Sequence, residues 1–304
     1  MPPQPFPVLI HPYPTPTSPD RPFLAYEHLP DPQQHPPPAG PRQNILVFLP
    51  GLGEGPLDIP YTRALAPPLA AIGYSLFETR LSSSYSAFGY SSLAKDAQEI
   101  AALVRYLRGE VLREGGRVVL MGHSTGCQDC VAYAQREGGE GVDGFVLQGP
   151  VSDREAIRMD DEGGVVEKGV RWAVEEGGRG EGVMVPREML PEGWRGQPMS
   201  AYRWWSLAGV GGDDDFFSSD LGDEEVKRVW GAFKKPVLIL PSGEDEWVPK
   251  GVDVHGMLGR WRAACGEGIA SELSGLIPGA NHRVDGEEGQ KWLSERVVRF
   301  LKEL

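Results

Sequence analysis

A strand, a tight turn and a helix follow one another directly near the middle of the chain. The apolar run at 117–121 leads into Gly122-His123-Ser124-Thr125-Gly126, and the residues after it have helical spacing. Small residues at Gly122 and Gly126 are needed where neighbouring chain presses close and the serine takes a strained backbone angle that lifts its hydroxyl clear of the sheet. This pattern predicts a nucleophilic serine at the edge of an α/β sheet. The alternative is a glycine-rich turn with an incidental serine.

Composition limits the class of protein. The 304 residues carry a formal charge of −13, which repels phosphate backbones and anionic lipid, so neither nucleic acid nor a membrane surface is expected as a partner. No signal-peptide pattern and no 18-residue apolar run occur, which predicts a soluble, cytoplasmic protein. Three cysteines cannot all pair, and a secreted disulfide framework would normally have more. Cys127 and Cys130 are expected to fill the core rather than to act as a redox pair.

The order of apolar runs predicts a mostly parallel central sheet flanked by helices, with one insertion. Residues 1–43 hold 15 of the 28 prolines and are expected to form two edge strands, at 8–10 and 23–26, with a loose loop at 36–38. The core is predicted at 44–150 and 236–304. The regular succession of strand-like apolar runs stops at 151–235, so this stretch is predicted to be a cap over the active-site edge.

The loop after the strand at 44–49 is a candidate oxyanion hole. A dinucleotide fingerprint is the alternative there, but its third glycine would fall on Pro56. We therefore expect the loop to turn the backbone N–H of Leu52 toward Ser124. Together with the N–H of Thr125, it would bind a developing oxyanion.

A catalytic acid and base are predicted in the second half of the chain. The strand at 236–240 leads to Glu244, Asp245 and Glu246, of which Asp245 is preferred as the acid. A last strand at 272–277 is expected to lead to His282 at the sheet edge where Ser124 emerges. The side chain of His123 is expected to turn elsewhere.

The order serine, aspartate, histidine is that of the α/β-hydrolase fold and not that of chymotrypsin or subtilisin. His282 would take the Ser124 proton during attack on a carbonyl, and Asp245 would fix the imidazole tautomer. An acyl-serine would form and water would release it. This chemistry requires no cofactor and no metal.

Substrate-binding candidates are the residues near the predicted cap and in the serine-rich loop after the strand at 74–78. They are Ser84, Tyr85, Trp204, Trp205, Phe216 and Phe217. For any single aromatic of the cap, a place in the cap's own small core is the alternative. The acidic loop at 211–215 is expected to be solvated rather than a metal site, since no histidine or spaced glutamate completes a ligand set.

Four blocks, at 82–85, 120–129, 212–221 and 243–249, resemble a eukaryotic α/β-hydrolase family of largely unknown function. Its best-understood fungal members are siderophore ester hydrolases. From residue 6 onward, the resemblance implies an esterase acting in the cytosol on hydroxamate siderophores such as fusarinine C, to release iron. The Pro-rich start and the segment at 175–182 depart from the family pattern. The alternatives are a general carboxylesterase or lipase, and a hydrolase-fold protein that binds a ligand without turnover.

Overall fold

A twisted seven-stranded sheet forms the centre of the molecule. The computed structural model describes residues 5–29, 40–159, 161 and 163–304. The strands are β1 (Val8–Thr15), β2 (Ser18–His28), β3 (Asn44–Leu49), β4 (Tyr74–Thr79), β5 (Val118–His123), β6 (Gly144–Gln148) and β7 (Val237–Leu240). They lie in the order β1-β2-β4-β3-β5-β6-β7, with β3 to β7 parallel and β1 and β2 antiparallel to their neighbours. This is the α/β-hydrolase fold that the sequence predicts.

The proline-rich start forms one edge of this sheet. β1 is the edge strand, but β2 is not, because it pairs with β1 on one side and with β4 on the other. The prediction of two edge strands is therefore right only for β1. Pro19 and Pro22 are tolerated in β2 because this strand pairs with β4 only through Ala25, Tyr26 and Glu27, which follow both prolines. The loop predicted at 36–38 lies outside the described residues.

Helices cover both faces of the sheet. They are α1 (Tyr61–Ala70), α2 (Leu93–Tyr106), α3 (Thr125–Arg136), α4 (Asp153–Arg158), α5 (Val165–Glu175), α6 (Ala201–Ala208), α7 (Asp223–Trp230), α8 (Val254–Ala264) and α9 (Glu287–Glu303). Apolar side chains of α2, α3, α7 and α8 share a buried cluster on one face, and those of α1 and α9 share a second cluster on the other. The carboxyl ends of the parallel strands are thereby left free to carry functional loops.

The strand predicted at 272–277 does not form as a regular strand. The segment runs beside β7 and makes only isolated bridges, at Ala270 and Ile277. The Ser274 hydroxyl accepts the N–H of Ile239 at 3.1 Å, in a place where a ladder would use a backbone carbonyl. Because a side chain takes that place, the segment reaches the histidine loop without extending the sheet regularly.

The insertion at 151–235 divides between two apolar clusters. α4, α5 and α6 form a small core of their own around the fully buried Trp204, and Phe88 joins it from the loop after β4. α7 instead packs beside α8 and α3, where Val226, Val229 and Trp230 join the buried cluster on one face of the sheet. The cap boundary at 235 stays a prediction, but the helix that precedes it packs with the sheet rather than in the cluster around Trp204.

Within the described part of the chain, every helix is too short or too polar to cross a lipid bilayer.

Candidate active site

The turn between β5 and α3 holds Ser124 in a strained conformation. Its φ is 53° and its ψ is −125°, a region that residues with a side chain rarely adopt. A Cβ on Gly122 would lie 2.2 Å from the carbonyl oxygen of Gly126, and one on Gly126 would lie 2.2 Å from that of Leu49. Backbone therefore crowds both glycines, as the pentapeptide pattern requires, and Ser124 stands at the N-terminus of α3.

We expect Gly126→Ala to destabilise the fold by about 3 kcal/mol, because a methyl group cannot enter against the Leu49 carbonyl without moving β3. The matched control is Gly259→Ala in α8, where a Cβ would meet nothing within 4 Å. That change should stabilise the protein slightly, by about 0.5–1 kcal/mol. Urea denaturation of both variants measures the difference, and equal stabilities would contradict the crowded turn.

His282 and Asp245 lie together as the sequence predicts. The Nδ1 of His282 is 2.8 Å from Oδ2 of Asp245, and both side chains are almost fully buried. Since the carboxylate can only accept, Nδ1 carries the proton and Nε2 is left as the free base. Ser124 and His282 line the same cavity. No hydrogen bond joins the Ser124 hydroxyl to the His282 ring among the contacts of the described residues, a common state for a serine site without substrate.

Two residues hold the backbone of His282 from opposite sides. Glu246 accepts its N–H at 2.8 Å, and the Nε2 amide of Gln148 donates to its carbonyl at 3.3 Å. The sequence offered Glu246 only as a rival for the triad acid and did not indicate Gln148. Glu244 makes no side-chain hydrogen bond within the described chain, so of the three neighbouring carboxylates only Asp245 contacts the imidazole.

His123 lies beside His282, contrary to expectation. Its ring is buried, lines the cavity and lies 4.9 Å from the ring of His282, centroid to centroid. Its Nδ1 donates to Oε1 of Gln148 at 2.5 Å. Burial lowers the pKa of His123 to about 3, and the neighbouring His282 adds to this. His123 is therefore a neutral ring that packs against His282 and shares Gln148 with it.

The loop after β3 carries the predicted oxyanion donors. Neither the backbone N–H of Leu52 nor that of Thr125 donates to another group in the described chain. Glu54 shapes this loop, because it accepts the N–H of Gly51 at 2.9 Å and pairs with Arg283 at 2.7 Å. Burial raises the pKa of Glu54, although Gly51 and Arg283 oppose this. The Glu54–Arg283 pair joins the loop after β3, which we call the oxyanion loop for its predicted role, to the loop that carries His282.

A cavity of about 760 Å³ opens over Ser124 and His282. Its apolar wall includes Leu52, Phe88, Val151, Ala156, Ile157, Trp194 and Trp247. Its charged lining is mainly acidic, from Glu54, Asp153, Glu192 and Glu246 against Arg283. This volume lies toward the upper end of the range for pockets that bind small-molecule ligands. Among the described residues, no three His, Cys, Asp or Glu side chains are arranged to bind a metal ion.

The residues predicted to bind substrate lie elsewhere. Ser84, Tyr85, Trp204, Trp205, Phe216 and Phe217 are all absent from the cavity wall. Trp204 is fully buried in the cap core, and Trp205 stacks on Arg179. Phe216 and Phe217 are buried in the cluster on the sheet, because the loop that carries them turns inward. Trp204, Phe216 and Phe217 thus lie in apolar cores, whereas Tyr85 is exposed. The cavity takes its aromatic surface from Phe88, Trp194 and Trp247.

The acidic loop at 211–215 is also buried in part, not solvated. Asp214 is 1% exposed and Asp215 is 5% exposed. Each pairs with an arginine, Asp214 with Arg203 and Asp215 with Arg154, and these partners hold the loop inside the protein.

Burial raises the pKa of Cys127 and of Cys130 well above the ordinary thiol value. Both cysteines remain uncharged thiols in the core under α3, which leaves them poor nucleophiles.

Known proteins of similar sequence and structure include fungal esterases. The chain is 32% identical to the fusarinine C esterase sidJ of Aspergillus fumigatus over 86% of this chain and 90% of the relative. It is 31% identical to an esterase of Emericella nidulans over 87% of this chain and 88% of that protein. The solved structure of the siderophore hydrolase EstB from Aspergillus fumigatus superposes with a TM-score of 0.78 at 30% identity, covering 100% of this chain and 99% of that one.

A bacterial esterase of Butyrivibrio proteoclasticus, at 18% identity and a TM-score of 0.55, shares the fold alone. The sequence profile of one family, described as a protein of unknown function (DUF1749), matches residues 1–302. Since that match covers nearly the whole chain, the protein belongs to the DUF1749 family within the α/β-hydrolase fold.

Proposed function

We propose that this protein is a serine esterase that opens the ester bonds of a hydroxamate siderophore of the fusarinine C type. Its relatives are named as esterases and as a siderophore hydrolase, and the chain is a carboxylic ester hydrolase. The observation that carries the finer proposal is the pairing of His282 with Asp245 in a cavity that also holds Ser124.

The proposed reaction begins when Nε2 of His282 takes the Ser124 proton and the hydroxyl oxygen attacks the ester carbonyl. Asp245 keeps the proton on Nδ1 and stabilises the imidazolium that forms. The free N–H groups of Leu52 and Thr125 bind the oxyanion. His282 then protonates the leaving alcohol, and a water activated by the same ring hydrolyses the acyl-serine.

Cavity size and charge support a large, neutral or amine-bearing substrate. About 760 Å³ is far more than a short-chain ester fills. Arg283 is the one cation in the described lining, and it is already paired with Glu54. With a protein charge of −13, this lining disfavours phosphate esters and acyl-CoA. A cytoplasmic location belongs to the same proposal, because the reaction releases iron after uptake.

Incubation with ferric and iron-free fusarinine C, beside 4-nitrophenyl butyrate, tests the substrate. We expect ring opening, seen by mass spectrometry as the gain of one water per ester cut, at a kcat/KM at least about tenfold above that for the simple ester, because the large ligand uses more of the cavity. Ser124→Ala protein is the control. Equal values for both substrates would favour a general carboxylesterase.

A further inference from the structure

The blocks that carry the family resemblance contain residues that the proposed reaction does not use. Three of their polar side chains, Ser83, Asp129 and Asp214, come from separate parts of the chain and meet behind the oxyanion loop. Asp96 of α2 and Arg203 of α6 join them there. Asp96, Asp129 and Arg203 are 3%, 5% and 2% exposed.

A small cavity lies at the centre of this group. Its volume is about 20 Å³, and Asp96, Asp129 and Arg203 line it. The oxyanion loop closes its other side through Gly51 and Leu52, and Thr125 of α3 also faces it. It is a compartment separate from the large cavity over Ser124, although Leu52, Glu54 and Phe88 border both.

Four polar atoms in this group have no hydrogen-bond partner in the described chain, namely Oδ1 of Asp96, Asp129 and Asp214 and Nε of Arg203. Three of these residues, Asp96, Asp129 and Arg203, line the cavity. A buried polar atom without a hydrogen bond is costly, so each is expected to have a partner in solution. The guanidinium is held in place from its other side, where Nη1 donates to Asp214 at 2.6 Å.

We infer that this cavity binds one water molecule, which accepts a hydrogen bond from Arg203 Nε and donates to Asp96 and Asp129, and so fastens the cap to α2 and α3 behind the oxyanion loop. The volume fits a single water, which needs roughly 10–15 Å³. One donor and two acceptors use a water's two protons and one of its lone pairs. A metal ion fits less well, because a guanidinium N–H lines the cavity.

The charge of this cluster bears on the oxyanion hole. Burial raises the pKa of Asp96 to about 7, with Glu99 adding to the rise, and it raises the pKa of Asp129 well above its ordinary value. The charged groups that face these two acids are Glu99 of α2, Arg203 and Asp214 of the cap, Asp153 of α4 and Glu54 of the oxyanion loop. At neutral pH the cluster therefore retains protons. Their loss at higher pH places negative charge behind the N–H groups that must bind an oxyanion.

A crystal structure of the protein at a resolution that shows ordered water tests the site directly. We expect one density peak within 2.7–3.2 Å of Arg203 Nε, Asp96 Oδ1 and Asp129 Oδ1. A cavity with no density, or a peak with the short distances and high coordination number of a metal ion, would overturn the inference.

The pH dependence of kcat tests the effect on catalysis, and this part rests on the proposed function. A histidine base is not lost at high pH, so the triad alone gives no alkaline fall. We expect wild-type kcat on 4-nitrophenyl butyrate to fall about tenfold from pH 7 to pH 9.5, the scale of one added charge several ångströms from the oxyanion. Asp96→Asn, which is neutral at every pH, should lose most of this fall, and Asp129→Asn, which removes the neighbouring acid, should reduce it.

The outcomes separate the inference from the proposed function. If Ser124→Ala abolishes hydrolysis but both asparagine variants keep the wild-type alkaline fall, the charge argument is wrong and the esterase stands. If hydrolysis does not depend on Ser124, the proposed function is wrong, and the crystal structure still decides the water site. A purely structural role would change melting temperature in these variants without changing the shape of the pH profile.

Discussion

Replacement of Ser124 by alanine is expected to lower kcat for ester hydrolysis by about 10⁶-fold, the scale found when the nucleophile of a serine triad is removed. The hydroxyl oxygen is the atom that would bond to the substrate carbonyl, and no neighbouring group can replace it. Among the described residues that line the cavity, Ser124 alone brings a hydroxyl or thiol. The loss should fall on kcat, because the cavity that binds the ester stays intact.

Correct folding of this variant is the necessary control. Alanine and serine meet the same backbone strain at φ 53°, so the melting temperature should change little. A variant that melts like the wild type and keeps more than a small fraction of its activity would show that Ser124 is not the nucleophile.

Asp245→Asn is expected to lower kcat by about 10⁴-fold. The asparagine amide can donate to Nδ1 of His282, and that hydrogen bond would stabilise the wrong tautomer, with the proton on the nitrogen that must accept from Ser124. The imidazolium would also lose its negative partner. Stopped-flow or steady-state rates with 4-nitrophenyl butyrate measure the effect.

The neighbouring acids provide matched controls for Asp245. Glu244 is exposed and makes no side-chain hydrogen bond in the described chain, so Glu244→Gln should leave kcat within about twofold, as for surface changes away from such contacts. Glu246→Gln keeps an oxygen that can accept the N–H of His282, and its loss should be far smaller than that of Asp245→Asn. Equal losses at all three positions would contradict the assignment of Asp245.

The nucleophile turn could be predicted from sequence because its determinants are local. Gly122, Ser124 and Gly126 lie within one turn, and the crowding that requires the glycines comes from the strand and helix beside them. The acidic cluster at 244–246 could be placed because it follows β7, and the carboxyl ends of parallel strands meet at one edge. His282 lies near the same edge although the segment before it makes only isolated bridges with the chain of β7.

The cavity wall could not be predicted because it depends on how the insertion folds. Aromatic residues such as Trp204 and Phe217 suit either a binding surface or an apolar core. Here they lie in the cores of the cap and of the sheet, because burial in a core removes more apolar area from water than a place in a cavity wall does. Trp194 reaches the cavity from a short 3₁₀ turn that has no periodic pattern.

The other features that the sequence does not predict are contacts between distant segments. His123 was expected to turn away, but its ring packs against that of His282, 159 positions further along the chain. Gln148 joins both histidines, and no local pattern marks it. Asp214 was assigned to a solvated loop because its arginine partner lies on a helix eleven residues earlier. Each of these depends on tertiary packing, which single-sequence periodicity does not report.

The most direct measurement for the central claim is covalent labelling by a fluorophosphonate, read by intact-protein and peptide mass spectrometry. Such a reagent reacts preferentially with a serine hydroxyl that a base has activated. We expect one adduct per chain, located on Ser124. The Ser124→Ala protein should form no adduct, and the Asp245→Asn protein should form it at a greatly reduced rate. A wild-type protein that takes no label, or takes it on another residue, would contradict a serine hydrolase built on Ser124, His282 and Asp245.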